Sequence, residues 1–504
     1  MAESSTAMPA DLVIKGSKIV GGGHITPPSW IVVNNEKITA IGVGQDAPRA
    51  KKTIDATGKY VLPGCVDPEN HPIPPLERAI TTETIAAVVA GITTGGMMQH
   101  SPWLGLSTDF KQLYRSADEV PTFMEGFPRF IEMMDKDSYC DYFLTPEMST
   151  EKQVKEIPQL AKELGVTSYK LYLQCKSGEH VWDMWNVMER GGMFYYDDGT
   201  VYIAMRSVAE LGPPALLCLH CENWEIARVL KQDLIAQGRT DVGAWDDHSP
   251  DFCEAGHVRT YAYYAKITGC PIYIIHCTTK KTLDELVRAK ADGTDITGQA
   301  QVHYMVLDKD AGVINVPLRG KKEHPYLWEG LRTGVLDCVG GDNIWTGIPL
   351  EKVERTGKKY PDPVWTKEVD NFTGGNGAVL PILLSEGVNK GRISLERVVE
   401  VYCENTAKKF GLYPKKGTIS VGSDADFVIV DLDKKKEWTR DMVFSLVGWS
   451  VYEGWEITGW PVMTILRGNV LMEWPDNAPR PRIIGKPIGK YIPRKPGYAL
   501  YPIG

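Results

Sequence analysis

Ala215-Leu-Leu-Cys-Leu-His220 is a short apolar run closed by a histidine. Pro271-Ile-Tyr-Ile-Ile-His276 repeats that form, and short apolar runs recur at Ser168-Tyr-Lys-Leu-Tyr172 and at Val335-Leu-Asp-Cys-Val339. Short continuous apolar runs read as strands covered on both faces, the condition inside a parallel sheet. Amphipathic stretches of helical period lie between and after them, as in Thr282-Leu-Asp-Glu-Leu-Val-Arg-Ala-Lys-Ala291 and Ser394-Leu-Glu-Arg-Val-Val-Glu-Val-Tyr402. Repeated βα units over residues 64–412 predict an α/β fold of the (β/α)8 TIM-barrel type, with insertions. A doubly wound nucleotide-binding sheet is disfavoured, because no Gly-x-Gly-x-x-Gly or phosphate-loop pattern follows a strand.

The texture changes on both sides of this segment. Before it come short strands, Asp11-Leu-Val-Ile-Lys15, Trp30-Ile-Val-Val33, Lys37-Ile-Thr-Ala-Ile-Gly42, Thr53-Ile-Asp55 and Tyr60-Val-Leu62. Gly21-Gly22-Gly23 and Asn34-Asn35-Glu36 supply turn chemistry between them. Similar strands return at 417–430 and 458–473. Neither end is large enough to bury both faces of a sheet alone. Residues 1–63 and 413–478 are therefore expected to build one smaller β-sandwich domain with the barrel inserted into it. Residues 479–504, rich in Pro, Gly, Lys and Arg, are expected to form an extended tail that packs on a neighbouring subunit.

Composition bounds the function. Of 504 residues, 56 are Lys or Arg and 64 are Asp or Glu, a net charge of −8, so there is no basic footprint for nucleic acid or an anionic membrane. Hydrophobic residues make up 43%, no apolar run reaches the length of a membrane span, and the first residues do not form a signal peptide. Ten scattered cysteines fit a reducing compartment, so a soluble, cytoplasmic, multidomain protein is expected.

Metal-capable residues stand at the ends of the predicted strands. In Leu62-Pro-Gly-Cys-Val-Asp-Pro-Glu-Asn-His71, the spacing i, i+2, i+4 puts Asp67, Glu69 and His71 on one side of an extended strand. Lys170, His220, His276 and Asp342 lie at or just past the C-terminal ends of others, where barrel active sites are built. Each has a structural explanation taken singly. A strand-end histidine is often only hydrogen bonded, and Asp342 after Gly340-Gly341 suits a turn or a helix cap. Lys170 inside an apolar strand has few such explanations, since an unpaired buried ammonium is costly. It is the ordered set that points to chemistry.

That set resembles the amidohydrolase superfamily, specifically its dihydropyrimidinase/D-hydantoinase branch. Supporting stretches are Gly165-Val-Thr-Ser-Tyr-Lys-Leu-Tyr172, His220-Cys-Glu-Asn223, Ile275-His-Cys-Thr-Thr-Lys280, Pro317-Leu-Arg319, Leu383-Leu-Ser-Glu-Gly-Val-Asn-Lys-Gly-Arg-Ile-Ser-Leu-Glu-Arg397 and Lys416-Gly-Thr-Ile-Ser-Val-Gly-Ser-Asp-Ala-Asp426. The resemblance implies a metal-dependent hydrolase that opens a cyclic amide, imide or ureide C–N bond with metal-bound hydroxide. It implies one or two divalent ions (Zn, Mn or Fe) held by Glu69, His71, Lys170, His220, His276 and Asp342, with carbon dioxide fixed on Lys170 as a bridging carbamate. Asp342 is the implied proton shuttle. By analogy the chain is a homo-oligomer, a tetramer.

The departures are specific. The branch reads Asp-x-His-x-His where this chain has Glu69 in the first His position. With carboxylated Lys170 and Asp342 the ligands then carry about three negative charges rather than two, which favours Mn²⁺, Fe²⁺ or Mg²⁺ over Zn²⁺. A single-ion site without Glu69 is the alternative. A tyrosine five positions after the lysine becomes Cys175, Cys-Pro-His-Tyr becomes Gln301-Val-His303-Tyr, and Asp-His becomes Asp342-Asn343, while Asn315 matches a backbone-contact position. Cys175, His303, Asn315 and Asn343 are thus the expected substrate-binding positions, in a pocket altered relative to the branch. The aromatic stretch at 181–196 suits a lid over a larger or aromatic substrate, or equally a core or subunit contact. Two other functions share this pattern: a metal-dependent lyase decarboxylating an aromatic acid, since distant relatives of that kind carry Glu-x-His, and a non-catalytic scaffold like the collapsin response mediator proteins. Retention of five of the six ligand positions argues against the scaffold.

Overall fold

The computed structural model describes residues 9–73, 76–100, 117–173, 197–314, 316–344, 364–365 and 377–497. The chain opens with β1 (Ala10–Gly21), β2 (His24–Asn34), β3 (Lys37–Val43), β4 (Ala50–Asp55) and β5 (Tyr60–Pro63). Asn35 and Glu36, both at positive φ, make the two-residue connection between β2 and β3, whose backbone twist matches that of the strands it joins.

The barrel follows: β6 (Cys65–His71), β7 (Ile92–Gln99), β8 (Asp141–Met148), β9 (Ser168–Tyr172), β10 (Leu216–His220), β11 (Ile272–Ile274), β12 (Ile296–Gln301), β13 (Cys338–Gly340) and β14 (Asn343–Ile344). Neighbouring strands are parallel throughout, and β14 returns to pair with β6, Asn343 opposite Asn70. β13 and β14 are two halves of one eighth strand, broken at Gly341-Asp342, so the sheet closes on itself. The expected strand at 335–339 starts late, after a turn at Gly334 in the left-handed region. Val66, Met98, Phe143, Cys218, Tyr273 and Cys338, from six different strands, share one apolar cluster. It precedes the polar strand ends along the chain and forms the floor on which the site is built.

The remaining strands, β15 (Phe427–Glu437), β16 (Glu456–Leu466), β17 (Asn469–Glu473) and β18 (Arg482–Ile483), join the first five in one sheet of order β18-β17-β16-β15-β5-β1-β2-β3, with β4 beside β1. The antiparallel seam of β5 with β15 unites the two ends of the chain. Lys416 locks this sheet to the barrel. Its Nζ lies 2.6 Å from Asp141 at the start of β8, 2.9 Å from Asp424 and 2.7 Å from Asp426, all buried.

Through Gly497 the tail runs along its own barrel. Tyr142 N donates to Lys490 O, Ile492 N to Tyr142 O and Arg494 N to Gly165 O. The buried Arg494 guanidinium donates to Ser168 Oγ and Leu144 O and lies over the Phe143 ring. These residues cover the N-terminal ends of β8 and β9, leaving the other mouth to the functional groups. Among the described residues no helix is long and apolar enough to cross a membrane.

Candidate metal centre

Five strands bring the six expected ligands to one mouth of the barrel. Glu69 and His71 end β6, Lys170 is in β9, His220 ends β10, His276 follows β11 and Asp342 interrupts the eighth strand; all are buried. His276 at φ 40° and Asp342 at φ 48° are held in the left-handed region, a conformation that costs non-glycine residues energy and that surrounding structure must impose. At the second, Gly340 and Gly341 are required. A Cβ on Gly340 would strike the Gln299 amide, and one on Gly341 the Asp67 carboxylate.

Glu69, His71 and Asp342 each present a ligand atom within 4.8 Å of the other two. His71 Nε2 is 3.2 Å from Asp342 Oδ1 and 3.7 Å from Glu69 Oε1. Lys170 Nζ stands 3.4 Å from the same His71 nitrogen and 3.7 Å from Glu69 Oε1. On the other side, His220 Nδ1 and His276 Nε2 converge to 2.8 Å.

The electrostatics suit a cation. Burial pushes His220 well below the usual histidine range and His276 down to about 3, His220 adding to the latter. Both imidazoles are therefore neutral, the form that binds metal. Burial opposes ionisation of Glu69, but the nearby His71 imidazole and the charge of Lys170 outweigh it and hold the carboxyl well below its ordinary range. Burial and Lys170 disfavour the charged His71, yet Glu147 and Asp342 carry it up to about 10. Glu69 Oε1, His276 Nδ1 and His220 Nε2 are buried without a hydrogen-bond partner; Glu222 Oε2 lies 3.6 Å from the last. Oxygen and neutral-imidazole donors with orphaned atoms, in a buried acidic cluster, fit a divalent ion. A second acidic group, Asp141, Asp424 and Asp426, already has its cation in Lys416.

Asp67 does not join the ligands. The β6–β7 register shifts between Asp67 and Asn70, which breaks the simple alternation. Its carboxylate instead accepts from Glu69 N, Gly341 N and the Tyr402 hydroxyl, which ties the first strand to the eighth. Burial raises it to about 7 against those bonds.

Of the expected substrate residues, His303 is buried at the start of the short helix Val302–Val306, against Tyr304, and burial takes it down to about 3. Asn343 turns its amide toward Glu83 Oε2, at 3.4 Å. Cys175, Asn315 and the aromatic stretch at 181–196 lie outside the described residues.

Other residues come from structure alone. Glu147, near the end of β8, places Oε1 2.9 Å from His71 Nδ1 and 3.2 Å from Lys170 Nζ, and accepts from Tyr172 Oη at 2.9 Å. Its other oxygen is 2.8 Å from His100 Nε2. Gln299 and Gln301, on β12, both donate to Glu69 Oε2. The strand-end rule extends to Glu147 and His100 and is the signal that could have found them.

Comparison with known proteins agrees with this geometry. The Amidohydrolase family model matches residues 288–471. A D-hydantoinase of Rhizobium radiobacter is 30% identical over 479 residues, 92% of this chain and 95% of the relative. An L-hydantoinase of Paenarthrobacter aurescens is 29% identical, covering 92% of this chain and 94% of its own length. The solved L-hydantoinase (dihydropyrimidinase) from Arthrobacter aurescens superimposes with a TM-score of 0.81 at 28% identity, over 96% of this chain and all of that one. With the barrel, the strand-end ligand positions and similarity along almost the whole chain in agreement, the chain belongs to the amidohydrolase superfamily, in its hydantoinase/dihydropyrimidinase branch.

Proposed function

We propose that this chain is a metal-dependent hydrolase that opens a C–N bond of a small cyclic amide, imide or ureide. The convergence of Glu69, His71, Lys170, His220, His276 and Asp342 on one buried barrel mouth carries the reading. His220 and His276 would hold one ion, and Glu69, His71 and Asp342 another, with Lys170 between them as its CO₂ carbamate. Divalent ions there supply Lewis acidity, which activates water and polarises a carbonyl.

The charges link the state of Lys170 to the number of ions. Glu69, Glu147 and Asp342 bring three negative charges. An ammonium on Lys170 leaves two, matched by one divalent ion; a carbamate makes four, matched by two. Charge balance in a buried site is what makes either state stable.

Asp342 is the proton carrier in this reading. Its carboxylate faces His71 Nε2 from a backbone fixed in the left-handed region, so it can take a proton from attacking water and pass it to the leaving nitrogen. Cys175, His303, Asn315 and Asn343 are proposed to read the substrate. Relatives named for hydantoin and dihydropyrimidine hydrolysis support a ring of that size and polarity, with the substituted positions adapting the pocket. The decarboxylase and scaffold readings are not favoured, since the relatives are named as hydrolases and the ligand positions are filled. A cytoplasmic homotetramer is proposed; nine free cysteines among the described residues support a reducing setting.

The test is product analysis on metal-loaded protein with hydantoins, dihydropyrimidines and cyclic imides. Ring-opened amidic acid is the expected product. Release of CO₂ from an aromatic acid with no ring opening on any member of the panel would overturn the reading.

A further inference from the structure

The Glu69 carboxylate is held by two side chains that nothing in the ligand set requires. Gln299 Nε2 and Gln301 Nε2, two residues apart on β12, each lie 2.7 Å from the same oxygen, Oε2. Both glutamines are fully buried, and neither Oε1 has a hydrogen-bond partner. The amide orientation follows from charge: turning either side chain over would set a carbonyl oxygen against a carboxylate oxygen. Two N–H donors on one carboxylate oxygen are charge-assisted bonds, stronger than neutral ones. They leave Glu69 Oε1 as the only oxygen free to face His71 Nε2 and Lys170 Nζ, each at 3.7 Å. Room for this arrangement is cut into the neighbouring strand, because any side chain at position 340 would displace the Gln299 amide.

From this geometry we infer that Gln299 and Gln301 are positioning residues that make Glu69 a one-oxygen metal ligand and thereby set the ion preference of the site. The inference rests on Glu69 being a ligand. With Oε2 engaged, Glu69 cannot chelate through both oxygens, and Oε1 acts as a compact, hard anionic donor in place of an imidazole. Such a donor favours Mn²⁺ or Fe²⁺ relative to Zn²⁺. Partners that orient a ligand from behind commonly change metal affinity by about 10- to 100-fold when removed.

The experiment is competitive loading of the full-length protein with equimolar Mn²⁺ and Zn²⁺, followed by elemental analysis of the bound ions. Wild type is compared with Glu69→His, with Gln299→Met/Gln301→Met, and with the triple variant. Methionine keeps the side-chain length and removes the donors. The Mn-to-Zn ratio is expected to fall about tenfold or more in the double glutamine variant and in Glu69→His. In the triple variant the glutamine changes should add nothing further, a coupling that a merely structural role would not produce. Gln301→Leu, a single change that removes one donor and adds no metal-binding group, should move the ratio in the same direction, and it is the variant to use should the double one not fold. A shifted ratio in Glu69→His with an unchanged ratio in the glutamine variants overturns this inference alone. An unchanged ratio in Glu69→His overturns the ligand assignment beneath it as well.

Discussion

Glu147 Oε1 lies 2.9 Å from His71 Nδ1, on the side of the imidazole opposite the nitrogen that faces Asp342. A carboxylate behind a histidine fixes the ring's orientation and tautomer and raises its basicity as a ligand. Burial opposes the Glu147 charge, but His100, Lys170 and His71 keep the carboxyl well below its ordinary range. Glu147→Gln should therefore weaken metal binding by about 10- to 100-fold without unfolding the barrel. Titration against a chelating indicator checks it; an unchanged dissociation constant would show that Glu147 does not serve His71.

Lys170→Ala removes the one lysine that the described residues bring to the ligand cluster, and with it the proposed carbamate bridge. Stoichiometry should fall to at most one ion per chain, and turnover should be lost. Adding short carboxylic acids is the control, since an exogenous carboxylate can occupy the vacated space and restore part of the activity. Full activity in the variant without such rescue contradicts the role given to the lysine.

Asp342→Asn keeps the size of the side chain and removes its capacity to take a proton. Turnover is expected to drop by about 10²- to 10⁴-fold, the usual contribution of a positioned acid or base. Steady-state kinetics on metal-loaded variant, with metal content measured in parallel, separates loss of proton transfer from loss of the ion. Unimpaired kcat would exclude Asp342 as the proton carrier.

Lys416→Met would leave Asp141, Asp424 and Asp426 buried, with Arg467 still paired to Asp141, Lys37 still paired to Asp424, and Asp426 without its close cation. Breaking a buried ion pair from one side costs about 3–5 kcal/mol. The pH dependence has a definite sign. Asp426 already sits above its ordinary value because burial outweighs Lys416. Without the lysine, Asp426 should titrate still further above its unfolded value, so the folded state binds more protons. The stability deficit should then shrink as pH falls toward the ordinary carboxylate range. Urea unfolding at neutral and mildly acidic pH tests this; a deficit that grows on acidification would contradict it.

The parts of this site legible in the sequence are those where chain order and function coincide. Lys170, His220 and His276 each close or interrupt an apolar strand, so the period of the pattern puts them at one end of a parallel barrel. The β domain was legible too, because turn residues such as Asn35 and Glu36 mark its hairpins. What stayed hidden depends on contacts between distant segments. Gln299 and Gln301 meet Glu69 across more than two hundred residues and look like ordinary strand polar residues until the barrel closes. The part played by Asp67 stayed hidden for the same reason, since its carboxylate accepts from Gly341 N and the Tyr402 hydroxyl, both far along the chain. The path of the tail over its own barrel stayed hidden as well, because composition alone specifies no contacts.

The most direct measurement is metal content per chain, by elemental analysis of protein prepared with bicarbonate and without chelator. The account predicts close to two divalent ions with bicarbonate and one when CO₂ is excluded, following the charge on Lys170. A chain that binds no metal even after reconstitution would contradict the hydrolytic centre.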